Sequence, residues 1–205
     1  MSEELRFEKV DKHGNINMLA ISTIIRYLQE DRTVIIPVDG IYCTAARLNE
    51  SNYFKFNDME LDNILVMVKD FKDLERYSRI HKREYDFLHR LWPDDVYVRL
   101  HTNLESLVET DFFFYIPKTE YLREILHSIN TPLMCSFKNN DKNKPYYSVK
   151  DIKEQYSDIA DNMLIINQYC KEHLSPTFID IRNERIQIVT KGRVDDEDIK
   201  SLYYL

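Results

Sequence analysis

The sequence predicts a mixed α/β domain: an open sheet of parallel and antiparallel strands with helices packed on it. Three observations carry that reading. Short, apolar, β-branched runs are interspersed with segments whose apolar residues recur at helical spacing. Several of the runs are apolar on both faces, as strands covered on both sides are. No repeat, low-complexity stretch or Pro/Gly/Ser-rich linker divides the 205 residues, so residues 1–205 read as a single domain.

The elements follow in order. Met18, Ile21, Ile24, Ile25 and Leu28 recur at helical spacing between Asn17 and Glu30, with Asn15 or Asn17 as cap. TVIIP (Thr33–Pro37) reads as a buried strand, and Asp39-Gly40 after it as a turn. NILVMVK (Asn63–Lys69) is the clearest strand, leading into a helix capped by Asp70 or Asp73. Tyr85, Leu88 and Trp92 form the apolar face of a helix from Arg83. Pro93-Asp94-Asp95 turns the chain into VYVRLH, a strand whose Arg99 faces away from Val98 and Leu100. FFFYIP (Phe112–Pro117) is a strand, and Thr119 caps a helix to Ile129. PLMCSF (Pro132–Phe137) is a strand entering a polar loop over Lys138–Pro145. A short helix over Val149–Tyr156 and a strand NMLIIN (Asn162–Asn167) come next. TFIDIR and RIQIVTK form a hairpin about Asn183-Glu184, and Asp195-Asp196 cap a terminal helix, with acids where the helix dipole favours them.

Composition removes whole classes. Three glycines (Gly14, Gly40, Gly192) cannot build a GxGxxG turn or a P-loop, which excludes classical dinucleotide folds and P-loop ATPases. A net charge of −7 disfavours a general nucleic-acid binder, because phosphate affinity comes from Lys and Arg. The basic segment with Arg79, Lys82, Arg83 and Arg90 leaves local RNA contact open. Cys43, Cys135 and Cys170 show no CxxC spacing and read as small buried side chains in a reducing cytoplasm. The six histidines form no metal-binding pattern, so no metal site is expected. No GxSxG sequence supports serine-hydrolase chemistry. No apolar run approaches a membrane span and the start is not signal-like; a cytoplasmic protein is expected, without a membrane partner.

Several segments, taken in order, resemble the YrdC-like family and in particular its YciO branch. IIPVDGIYCTAA (Ile35–Ala46) resembles "YPTDTVYGLA", keeping Pro37, Asp39, Tyr42 and Ala45. ILVMVKD (Ile64–Asp70) resembles "PLxVLVxD", and LWPDDVYVRL (Leu91–Leu100) resembles "xWPGPLTLVL". FFFYIPKTEYLREIL (Phe112–Leu126) is similar to "VAVRVPxHPLAxxLL". PLMCSFKN (Pro132–Asn139) is similar to "PLVATSAN", SPTFIDI (Ser175–Ile181) to "PSTVVDL", and IVTKGRV (Ile188–Val194) to "VLRPGAI". The resemblance implies a YrdC-like twisted open mixed sheet with a concave site for nucleotide and substrate. The family's known activity joins ATP, threonine and bicarbonate into threonylcarbamoyl-AMP for tRNA modification, so it implies ATP and Mg if the chain is a synthase.

The departures point elsewhere. Synthase chemistry needs fixed positive charge at a triphosphate. Where the family has Lys-x-Arg just before the "PLxVLVxD" strand, this chain has Phe56-Asn57-Asp58, with Lys55 one residue out of register. The arginine of "VAVRVP" falls on Tyr115 and that of "VLRPG" on Thr190, leaving Lys191 or Arg193 as substitutes. Family glycines fall on Cys43, Asn57, Asp94, Lys142 and Gln168; only Gly192 is kept. The resemblance thus marks Asp39, Tyr42, Lys55, Tyr115, Ser136, Asn139, Thr177, Lys191 and Arg193 as candidates for binding a nucleotide or another small molecule. Tyr115 in place of an arginine would turn a charged cavity into a stacking pocket. The expectation is a nucleotide- or RNA-binding protein with a degenerate site, related to threonylcarbamoyladenosine formation. The alternative is an active synthase with replacement cations.

Overall fold

A computed structural model describes residues 3–7, 18–58, 64–103, 111–137, 162–166 and 175–205, with helical positions at 150, 152 and 154. The expected loop over 138–145, the rest of the 149–156 helix and Cys170 lie outside the described residues. Eleven strands are described: β1 (Glu3–Phe7), β2 (Val34–Val38), β3 (Ile41–Arg47), β4 (Leu65–Met67), β5 (Ser78–Arg79), β6 (Val96–Thr102), β7 (Asp111–Tyr115), β8 (Leu133–Ser136), β9 (Asn162–Ile166), β10 (Thr177–Asp180) and β11 (Gln187–Thr190). The helices are α1 (Met18–Gln29), α2 (Glu50–Asp58), α3 (Phe71–Tyr77), α4 (Lys82–Leu91), α5 (Glu120–Ile129) and α6 (Asp196–Tyr203).

All strands join one mixed sheet in the order β1-β9-β2-β3-β8-β4-β7-β6-β10-β11, with β5 on the side of β6. β4 runs parallel to β7 and antiparallel to β8, and β6 runs parallel to β10. The central strands are buried along their whole length, which explains why they read as unbroken apolar runs. α1 packs on α5, α4 packs on α6, and their apolar stripes join the sheet in one core. Arg99 is half-buried on β6 with its guanidinium over the Phe113 ring at 4.3 Å, facing away from its buried neighbours as expected.

Four differences from the sequence reading have physical reasons. β3 was not expected as a strand, yet Asp39-Gly40 closes a two-residue hairpin with Val38 opposite Ile41. Asp39 and Gly40 both have positive φ (43° and 91°), as a type I′ turn requires, and Asp-Gly is a favoured pair for it. α2 was not expected, because ESNYFKFND is polar and a weak helix former; the side chain of Asn49 accepts from the Asn52 amide at its start (2.9 Å), while Tyr53 and Phe56 anchor it in the core. β1 is an outer strand whose EELRF sequence alternates only over Glu4–Phe7, too short a run to stand out, and its pairing with β9 is a tertiary event. Finally, the β10–β11 connection is wider than a tight Asn-Glu turn. Ladder pairing stops at Asp180 opposite Gln187, because Arg182 folds back onto the Asp180 carboxylate at 2.9 and 3.1 Å.

Candidate functional site

The candidate site grows from the β2–β3 turn. Tyr115, at the end of β7, is in register with Met67, Leu133 and Arg47, and Arg47 is the end of β3 farthest from that turn. In strand order β2 and β7 are four spacings apart, ~19 Å in a flat sheet. Yet the Tyr115 hydroxyl donates to Asp39 Oδ2. The sheet therefore coils so that these diagonal corners meet, the direction in which sheet twist carries them. The chain then runs through Ile116–Lys118 to Thr119, whose hydroxyl donates to Asp39 Oδ1 at 2.7 Å. Two residues on, the Tyr121 hydroxyl donates to the Pro37 carbonyl.

Both oxygens of the buried Asp39 thus accept from hydroxyls. Burial pushes its carboxyl above the ordinary aspartate value of 3.8, the hydroxyls of Tyr115 and Thr119 pull it down, and the Asp95 charge adds to the rise. Burial and the nearby Asp39 charge push Tyr115 up, so its phenol remains a proton donor. Tyr97 is fully buried, with its ring edge-on to Tyr115 at 4.8 Å. Its hydroxyl has no hydrogen-bond partner among the described residues and is held well above its ordinary value, first by burial and then by Asp39.

Beside this clasp, Asp95 faces two cations. Arg193 Nη1 donates to Asp95 Oδ2 at 3.1 Å and Lys118 Nζ lies 3.4 Å from Oδ1. Arg193 is placed by backbone: its amide donates to the Ser175 carbonyl at 3.0 Å, next to Gly192. A Cβ on Gly192 would stand 2.2 Å from that same oxygen, so glycine is required by close approach.

The structure brings Asp39, Tyr115 and Arg193 to this corner, with Thr177 bonded to its frame, and places Lys55 and Lys191 apart. The Tyr42 ring is buried on β3, opposite Pro37. Thr177 is tied to the Arg193 segment: its hydroxyl donates to the Val194 carbonyl (3.0 Å) and accepts from the Val194 amide (3.1 Å). Ser136 is buried at the end of β8, opposite Thr44. Lys55 donates to Thr33 Oγ1 at 2.9 Å, at the end of β2 away from Asp39. Lys191 has a side chain 82% exposed and pairs with Asp196 at 2.5 Å. Asn139 lies outside the described residues. The expected basic segment is exposed, with each cation also partnered within the chain: Arg79 donates to Asn103, Lys82 pairs with Asp86, Arg83 stacks on Tyr203 and Arg90 donates to the Leu202 carbonyl.

Sequence reasoning missed Asp95, Lys118 and Tyr97, and read Thr119 only as a cap. Thr119 does sit at the N-cap of α5, but its hydroxyl serves Asp39 and makes no cap bond. The signal available was a departure from the family block: in "WPGPLT" the second proline falls on Asp95 and the threonine on Tyr97. Cys43 and Cys135 are buried, as expected, and burial raises the Cys135 thiol. Among the described residues no cluster suits a metal ion, and no helix is long and apolar enough to cross a membrane.

The fold is that of known structures. E. coli YciO matches with a TM-score of 0.81 at 15% identity, over 95% of this chain and 98% of that one. A doubly substituted P. abyssi Sua5 matches at 0.80 and 15%, over 98% of this chain and 60% of that one. P. abyssi Sua5 solved with L-threonine matches at 0.80 and 16%, with the same coverage. The chain therefore spans about three fifths of the Sua5 structures and nearly all of YciO. No curated protein matches the sequence significantly. The model of the Sua5/YciO/YrdC family, described as "Telomere recombination", matches residues 26–192, and the chain belongs to that family.

Proposed function

We propose that this chain is a YciO-type protein that binds an adenine nucleotide at the Asp39 corner, in the setting of tRNA threonylcarbamoyladenosine biosynthesis, without carrying out the synthase reaction. The observation that supports this reading is the dispersal of the candidate cations. Lys55 is on Thr33, Lys191 on Asp196 and Arg193 on Asp95, while the residue in the family's arginine position is Tyr115, on Asp39. A triphosphate transition state requires convergent charge, and each charge-assisted hydrogen bond lost costs about 1.5–3 kcal/mol. The rings of Tyr97 and Tyr115 are fully buried beside Asp39, so this corner carries aromatic bulk where a synthase would need fixed positive charge.

The test combines turnover with binding. With ATP, L-threonine, bicarbonate and Mg, pyrophosphate is expected at the level of the protein-free blank, while titration calorimetry detects adenosine and ATP. Pyrophosphate above the blank would restore the active synthase, with Lys55, Lys191 or Arg193 as replacement cations. Absence of heat with both adenosine and ATP would remove the nucleotide, and a salt-sensitive tRNA gel shift would then assign the surface to RNA.

A further inference from the structure

Asp95 is presented by a rigid frame. Trp92 Nε1 donates to the Val96 carbonyl at 2.9 Å, the Val96 amide to the Asp94 carbonyl at 2.7 Å, and the Thr177 amide to the Asp95 carbonyl at 3.1 Å. The carboxylate so fixed stands between a guanidinium and an ammonium from segments 75 residues apart (193 − 118), 3.1 and 3.4 Å away. Arg193 and Asp95 are both largely sheltered from solvent, whereas Lys118 is half exposed, so the cluster is open on the lysine side. Two such cations facing one pair of oxygens have the geometry that takes up a phosphate or carboxylate. Here those oxygens belong to the chain itself, at a position where the family block carries a proline.

We propose that Asp95 is the resident anion of an oxyanion-binding site formed by Lys118 and Arg193, a tethered plug that keeps a ligand's phosphates out. A tethered carboxylate competes at an effective concentration of about millimolar or more, so a free phosphate at lower concentration does not displace it. An entering phosphate would also meet the negative charges of both Asp95 and Asp39. A ligand bound at this corner is accordingly read by its uncharged part, and its phosphates add little. The identity of that ligand rests on the nucleotide reading above; the plug rests on the ion-pair geometry alone.

The experiment uses tripolyphosphate as probe, with adenosine titrated in parallel, on the full chain. Asp95→Asn keeps the side-chain shape and the backbone bonds. It is expected to bind tripolyphosphate at least about tenfold more tightly than wild type. Adding Arg193→Gln or Lys118→Gln to Asp95→Asn should abolish that gain. Equal tripolyphosphate affinity in wild type and a folded Asp95→Asn would overturn the plug. Lys118→Gln in the otherwise wild-type chain is a second test that needs no Asp95 variant: a loss of roughly tenfold in tripolyphosphate affinity overturns the plug, because the lysine would then already be serving the ligand. Failure of adenosine to bind any variant would sink the nucleotide reading and leave the tripolyphosphate comparison intact.

Discussion

At the scale of single residues, Asp39 is constrained by both its backbone and its side chain. It lies in the left-handed region, is buried, and spends both oxygens on hydroxyls from elsewhere in the chain. Burial is the largest influence on its carboxyl and raises it, so the folded state holds the proton more tightly than the unfolded state. The linkage has a fixed sign: stability from this group is fully present below pH 3.8 and declines as pH rises through the elevated folded value. Asp39→Asn keeps a residue that tolerates the turn and removes the titration. As pH rises from 3.8 through the elevated folded value, wild type should lose stability relative to Asp39→Asn in urea unfolding. A difference that stays flat with pH would show that Asp39 does not titrate in this range. Asp180 behaves oppositely. Burial raises it, but the Arg182 hydrogen bonds together with the Arg182 and Arg99 charges outweigh burial and hold it low; its contribution is present above pH 3.8 and is lost as pH falls.

At the scale of elements, two helix starts look alike in sequence and differ in physics. Asp70 caps α3, accepting from the Asp73 amide at 2.8 Å. Asp70→Ala should cost about 1 kcal/mol, measured as a lower urea midpoint at unchanged slope. Thr119 occupies the same position before α5 but bonds to Asp39, so Thr119→Ala acts on the carboxylate. Its effect should be strongly diminished in an Asp39→Asn background, whereas that of Asp70→Ala should persist; additive behaviour of Thr119 and Asp39 would contradict the assignment. The approach of the Ser175–Pro176 and Lys191–Arg193 segments depends on Gly192. Gly192→Ala should cost about 1–3 kcal/mol, because the atoms in the way are backbone and cannot rotate aside. A thermal midpoint equal to wild type would mean that the two segments separate without cost.

At the scale of the whole molecule, the coil of the sheet is what makes a site. The Asp39–Tyr115 bond joins residues 76 apart in sequence, at strand ends that lie diagonally across the middle of the sheet. A double-mutant cycle with Asp39→Asn and Tyr115→Phe should give a coupling of about 1–3 kcal/mol. A coupling near zero would mean that the coil is held by core packing alone.

Much of the fold was legible in the chain, for local reasons. β4, β6, β7 and β8 announced themselves because they are largely buried apolar runs. α1, α4 and α5 did so because each turns one apolar stripe to the core. β1 and α2 stayed hidden because their stability comes from what they pack against, and β3 because its register depends on a positive-φ turn. In the site, the sequence by itself determined that Asp39 survives, that Tyr115 stands where an arginine is expected, and that glycine remains at 192. Only the tertiary structure decided that Tyr115 reaches Asp39, that Lys55 and Lys191 stand apart from that corner, and that Asp95 lies between Lys118 and Arg193. Residue type and periodicity are local properties. Which charges neutralise one another is set by twist accumulated across several strands, and no window of the sequence contains it.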